Sequence, residues 1–186
     1  MNHNLIYFLL ILLFNCSCTN VNSQETASNL NELDSINMMP THFNDDVIHV
    51  DQLYTSIIRV DRVIKNEYSL TIQMNLKNGS YFISPNEKGD FTGKFIINIT
   101  DPEKILADEA IIETPFSKGE LNNHGSLVNW VRQSTNYKQT LKVLSNDDFE
   151  VSGYIQFTIE PRCTLEKIPF ILSNTNGKLS IRIDGC

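Results

Sequence analysis

No lysine or arginine stands before Arg59, and across the 186-residue chain 15 basic residues face 22 acidic ones, for a net charge of −7. That balance argues against a nucleic-acid partner, which needs a basic face to replace the counterions on phosphates. It equally removes attraction to an anionic lipid surface by charge alone. Histidines are few: beyond His3 at the start, His42, His49 and His124 lie far apart, and none pairs with a cysteine or another histidine at a ligand interval, so no metal is expected. The chain also lacks Gly-x-Ser-x-Gly, a phosphate-cradling glycine loop and a nearby cysteine–histidine pair, and no cofactor is expected. Its adjacent carboxylates, Asp45-Asp46 and Asp147-Asp148, sit in linker or turn contexts and read as solvated charges rather than an acid/base pair. The longest apolar run, Leu5 to Phe14, is only about half of the roughly 20 residues that a membrane-spanning helix requires.

What that run does resemble is the core of a signal peptide. It leads into Leu13-Phe14-Asn15-Cys16-Ser17-Cys18, which is similar to the lipobox of bacterial lipoproteins. Cys16 has Leu13 three residues before it, and Cys18 has the small Ser17 directly before it; Cys16, with Cys18 as the alternative, is the expected lipid anchor. The expected organisation is a signal segment over 1–18, a flexible acidic tether over 19–46 rich in Asn, Ser, Thr, Asp and Glu, and a folded domain over 47–186. The expected address is the cell envelope, membrane-anchored through the lipid and facing the periplasm or the cell surface, with an unidentified envelope protein as partner.

The domain shows period-two alternation in Tyr68, Leu70, Ile72, Met74 and Leu76, and again in Phe149, Val151, Gly153, Ile155, Phe157 and Ile159. Shorter runs occur at 81–83, 95–99, 141–143, 168–172 and 179–183, separated by turn formers such as Asn78-Gly79, Asp101-Pro102 and Asn176-Gly177. The pattern predicts an all-β fold, an immunoglobulin-like β-sandwich. The stretch from Glu113 to Ser134 is the least regular and reads as a long connection carrying the single Trp130. An exposed aromatic patch near Trp130 or Tyr137 would favour a binding module.

Two cysteines fall in the domain, Cys163 and Cys186. Outside the cytoplasm they are candidates for a disulfide. If Asn176-Gly177 turns a hairpin, residues 167 and 186 face each other at its open end, and a Cys163–Cys186 bridge would stabilise by about 3 kcal/mol in the chain-entropy account. The alternative is a reactive Cys163 thiol activated by the adjacent Arg162.

Val128-Asn129-Trp130, Tyr137-Lys138-Gln139, the run Asp147 to Phe157, and a cysteine shortly before Ile168-Pro169-Phe170 resemble the N-terminal periplasmic domain of the DsbD-type thiol:disulfide interchange protein, in the version found in Bacteroidota. The resemblance extends from about Val47 to the C-terminus and implies an immunoglobulin-like sandwich. It implies two redox cysteines close together after the strand ending near Ile159, whereas this chain has Glu160-Pro161-Arg162 and then only Cys163. A dithiol relay needs two thiols within bonding reach. The sequence therefore predicts an exported, lipid-anchored β-sandwich with a binding or accessory role in the cell envelope, stabilised by a Cys163–Cys186 disulfide and without catalytic residues, and as the alternative a divergent thiol:disulfide oxidoreductase-like protein using Cys163 and Cys186.

Overall fold

The computed structural model describes residues 46–184 apart from Asp90, Asn123 and His124. Cys16, Cys18, the tether as far as Asp45, His42 and Cys186 lie outside the described residues. The chain divides into two units, Met1–Thr41 and His42–Cys186, and the described residues belong to the second.

Among the described residues there are thirteen strands: β1 (Val47–Val50), β2 (Tyr54–Ile64), β3 (Glu67–Leu76), β4 (Phe82–Ile83), β5 (Ile96–Ile99), β6 (Ile105–Ala107), β7 (Ile112–Thr114), β8 (Gly119–Leu121), β9 (Leu127–Val131), β10 (Thr135–Val143), β11 (Phe149–Ile159), β12 (Thr164–Thr175) and β13 (Lys178–Ile183). They form an antiparallel sheet in the order β1-β2-β3-β10-β6, with β7 also on β10, and a second in the order β13-β12-β11-β5. A small third sheet, β4-β9-β8, joins the second through a bridge between Tyr81 and Glu160. The fold is all-β, an immunoglobulin-like β-sandwich, and its core lies between the two large sheets.

The alternation seen in the sequence is the inward face. Tyr68, Leu70, Ile72 and Met74 on β3 and Val151, Ile155, Phe157 and Ile159 on β11 are all buried. Each such side chain contributes about 1.5–3 kcal/mol on leaving water. An aromatic cluster fills the centre: the Phe157 ring lies 5.1 Å from Tyr54, 5.1 Å from Phe82 and 5.9 Å from Phe95, and Phe95 stacks on Tyr137 at 4.3 Å.

Asn176-Gly177 does turn the β12–β13 hairpin. Both residues have positive φ, 51° and 70°, and Thr175 pairs with Lys178, the geometry of a two-residue type I′ turn. The tip is tied to the first sheet, since Tyr68 Oη and Arg62 Nη2 each donate to the Gly177 carbonyl at 3.0 Å.

Two parts differ from the sequence reading. The supposed long connection from Glu113 to Ser134 holds β7, β8 and β9, because these strands are short and invert the usual pattern, with Ile112, Leu121 and Leu127 exposed and Glu113 buried, so no alternation registers as a period. The strand β2 was hidden because Ser56 occupies a fully buried inward position and Ile57-Ile58 puts two apolar residues in succession. Tyr137 belongs to the core at 0% exposure, so it cannot contribute to a surface patch.

Candidate functional site

The hairpin joining β11 and β12 closes between Ile159 and Thr164, so Cys163 stands at its tip, exposed and with a positive φ of 55°. Arg162 beside it turns away to an ionic frame. Its Nη1 donates to Asp51 Oδ2 at 3.3 Å, its Nη2 to Glu166 Oε1 at 2.7 Å, and its Nε to Thr164 Oγ1 at 2.8 Å. The guanidinium expected to activate the thiol is thus engaged by two carboxylates. Tyr54 closes the frame from beneath, its hydroxyl 3.4 Å from Glu166 Oε2 and 3.3 Å from His49 Nε2. Burial, with the Glu166 and Asp51 charges in support, pushes the Tyr54 phenol far above its ordinary range, which keeps it a neutral hydrogen-bond donor.

Asp51 carries a pH prediction. The backbone N–H of Leu53 donates to Asp51 Oδ1 at 2.8 Å, and this bond, ahead of the Arg162 guanidinium, holds the Asp51 carboxyl below the usual carboxylate range. A depressed folded-state pKa contributes stability that is present above the ordinary value and is lost as pH falls through the folded one. Asp51→Asn keeps an acceptor for Leu53 and loses the charge. Its thermal unfolding should therefore lose less stability than the parent between neutral pH and the acid side of the carboxylate range; an unchanged acid slope would contradict this.

The Cys163–Cys186 pairing involves a residue outside the described ones, but the register bears on its reach. Phe170 pairs with Ile183, and Asp184 N donates to Pro169 O at 3.1 Å. Pro169 lies five residues, roughly 17 Å, along β12 from Thr164, and two further residues beyond Asp184 span at most about 7 Å. By these lengths even a fully stretched chain end would fall about 10 Å short of Thr164, beyond the reach of a disulfide, so a Cys163–Cys186 bridge would require Asp184 to leave its place beside Pro169.

The small sheet builds a second feature on the same side of the hairpin. Trp130 on β9 is half-buried, pairs across the strands with Ile83 and meets Tyr81 edge-on at 5.1 Å. The Arg132 guanidinium lies 4.2 Å over the Tyr81 ring, a cation–π placement, and its Nε donates to Glu120 Oε1 and Oε2 at 3.1 and 3.0 Å. Trp130 walls two clefts. One, of about 400 Å³, is lined by Phe116, Lys118, Glu120, Trp130 and Arg132 among others. The other, of about 360 Å³, is lined by Ile83, Thr92, Trp130, Glu160, Cys163 and Leu165. Phe116 and Leu165 stand on the rims at 62% and 59% exposure. Both fall within the size range of ligand sites, the first lined mostly by polar and charged side chains and the second more by apolar ones.

Two acids, Glu113 buried and Glu87 half-buried, brace the neighbouring chain. Glu113 Oε2 accepts from Ser84 Oγ at 2.6 Å, Asn86 Nδ2 at 3.0 Å and Ser117 Oγ at 3.3 Å, and Glu87 Oε2 accepts from the backbone N–H of Asn129. These bonds hold the chain before β8 and the middle of β9 in place, which positions Trp130. Glu113 pairs across β7 and β10 with Tyr137, whose phenol burial, with the Glu113 charge adding, pushes well above its ordinary range. The Tyr137 hydroxyl has no hydrogen-bond partner among the described residues. Removing an unpaired buried hydroxyl relieves a desolvation cost. Tyr137→Phe should accordingly change stability by no more than about 1 kcal/mol, measured by denaturant unfolding; a loss of ~3 kcal/mol would reveal a bond not accounted for.

Among the described residues no group of three or more His, Cys, Asp or Glu is placed to hold a metal ion. His49 faces Tyr54, and Asp148 accepts the Asn176 N–H at 2.8 Å as part of a turn. Of the residues singled out in the sequence, Cys163 and Trp130 come together at one cleft, while Tyr137 does not join them.

No protein-family model matches the chain, and no curated protein does. Solved structures similar to it include the GAE domain of GGA2p from Saccharomyces cerevisiae, at 9% identity and a TM-score of 0.39, covering 70% of this chain and 98% of that one. The GAE domain of yeast GGA1 is similar at 9% identity and a TM-score of 0.37, covering 66% of this chain and 94% of that one. At that distance these likenesses carry no argument about function, and the site has to be read from its own residues.

Proposed function

We propose that this chain is an exported, lipid-anchored β-sandwich that works by binding, as an accessory component of the cell envelope, and that the surface around Trp130 is where it binds. The anchoring rests on the apolar run Leu5 to Phe14 and on Cys16, or Cys18, after it. The binding reading rests chiefly on one observation: two open clefts share the Trp130 wall, with Phe116 and Leu165 exposed at their rims. The second reading is a thiol:disulfide exchange protein of the DsbD N-terminal kind, and the exposure of Cys163 at a hairpin tip favours it. Against it stand Glu160 in the place where the resemblance puts a first cysteine, and the reach required of Cys186.

Oxidised glutathione separates the two on the mature full-length protein. A thiol without a resolving partner forms a mixed disulfide and stops, releasing one glutathione; a dithiol goes on to an internal disulfide and releases a second. Peptide mapping by mass spectrometry should find a persistent glutathione adduct on Cys163. Rapid replacement of that adduct by a Cys163–Cys186 disulfide would favour the exchange reading only if the pair's reduction potential lies near those of the catalytic exchangers; a value below about −300 mV would mark a structural bridge.

A further inference from the structure

The clefts on the two sides of Trp130 differ in chemistry, and the difference specifies a ligand. In the first, Arg132 is held in place by stacking on Tyr81 and by Glu120 at its Nε, while its two terminal nitrogens make no hydrogen bond among the described residues. A guanidinium fixed at one edge and open at the other presents the fork that grips a carboxylate. Lys118 lines the same cleft and has no ion pair among the described residues. Glu120 offsets one of these two cations, and the buried Glu113 charge below is already met by three donors. The second cleft is apolar on two sides, through Ile83 and Leu165, and carries Glu160 rather than a cation. An acidic group is drawn to the first cleft and repelled from the second, whereas an aliphatic or aromatic side chain gains from burial in the second.

A ligand that fills both must carry an acid and an apolar side chain a short distance apart. Polypeptide does this readily, and β8, at the edge of the small sheet with a neighbour on one side only, offers backbone groups to an extended chain beside the first cleft. Resting on the binding reading above, we infer that the Trp130 surface takes an extended peptide segment in which an aspartate or glutamate, held by Arg132 and Lys118, lies within a few residues of a large apolar side chain seated against Ile83 and Leu165.

The test is selection from a randomised ten-residue display library on the immobilised full chain, followed by titration of the enriched peptides while the emission of Trp130, the single tryptophan, is recorded. Enriched peptides should share an acidic residue within about three positions of an apolar one, and replacing that acid by its amide should weaken binding about tenfold, the scale of a charge-assisted hydrogen bond. Arg132→Ala should abolish that acid-over-amide preference, and Arg132→Lys should retain part of it. Arg132 lies outside the core, and thermal unfolding checks that both variants fold. Enrichment of peptides lacking an acid, no enrichment, or a preference that survives Arg132→Ala would overturn the inference. Failure of the binding reading itself shows separately, as a Cys163–Cys186 pair whose reduction potential lies near those of the catalytic exchangers.

Discussion

Phe157→Ala should destabilise the domain by about 3–5 kcal/mol, the range for deleting a fully buried phenylalanine. Phe157 is 0% exposed and its ring touches Tyr54, Phe82 and Phe95, so its removal leaves a cavity bounded by both large sheets and the small one. Those neighbours sit on different strands and cannot collapse together into the gap. For a domain of this size the loss corresponds to a fall in midpoint of about 10–20 °C. Tyr154 supplies the control. It sits on the same strand with its side chain on the outer face, half-buried, with Lys167 Nζ 4.1 Å from its ring. Tyr154→Ala should cost only about 1 kcal/mol. Equal losses for the two would mean that the inner and outer faces of β11 have been misassigned.

Gly153→Ala should also destabilise, by about 2–3 kcal/mol, although alanine is ordinarily the better residue within a strand. The backbone gain from replacing glycine is roughly 0.5–1 kcal/mol. A methyl at this position would lie 2.4 and 2.5 Å from ring carbons of Phe170 and 2.8 Å from the Asn98 carbonyl oxygen. Phe170 is fully buried and pairs directly with Gly153 across the sheet, so it has nowhere to move. The carbonyl belongs to β5, whose pairing with β11 would have to open. Overpacking of this kind costs about 1–3 kcal/mol, and the backbone contact puts the change at the upper end. Calorimetric unfolding of Gly153→Ala and of the larger Gly153→Val, which should lose more, measures it; a stabilised Gly153→Ala would refute the close approach.

These two positions show what the sequence could and could not say. Alternation over 149–159 placed Phe157 and Gly153 on the same inward face, and Asn176-Gly177 set the register of the last hairpin, because both signals are local. The cluster around Phe157 was not legible, since Tyr54, Phe82 and Phe95 come from β2, β4 and the chain just before β5. At the site the contrast is similar. Trp130 and Cys163 stood out as rare residues, but that they share a cleft depends on β9 lying beside β4 and on the Tyr81–Glu160 bridge. The fate of Arg162 was equally hidden: Asp51 lies 111 residues away along the chain. Arg132 gave no signal at all, because its role comes from Tyr81 beneath it and Glu120 beside it, on separate strands.

The central claim is that the Trp130 surface, and not the thiol of Cys163, carries the function. Full-length protein purified with covalent crosslinking from its own cells tests it most directly, compared across three forms: the parent, Cys163→Ser, and an Arg132→Ala/Phe116→Ala pair of exposed changes that spares the core. The account predicts that the crosslinked partner is retained by Cys163→Ser and lost from the double variant. A partner lost from Cys163→Ser, or released from the parent by a reductant as a mixed disulfide, would contradict it.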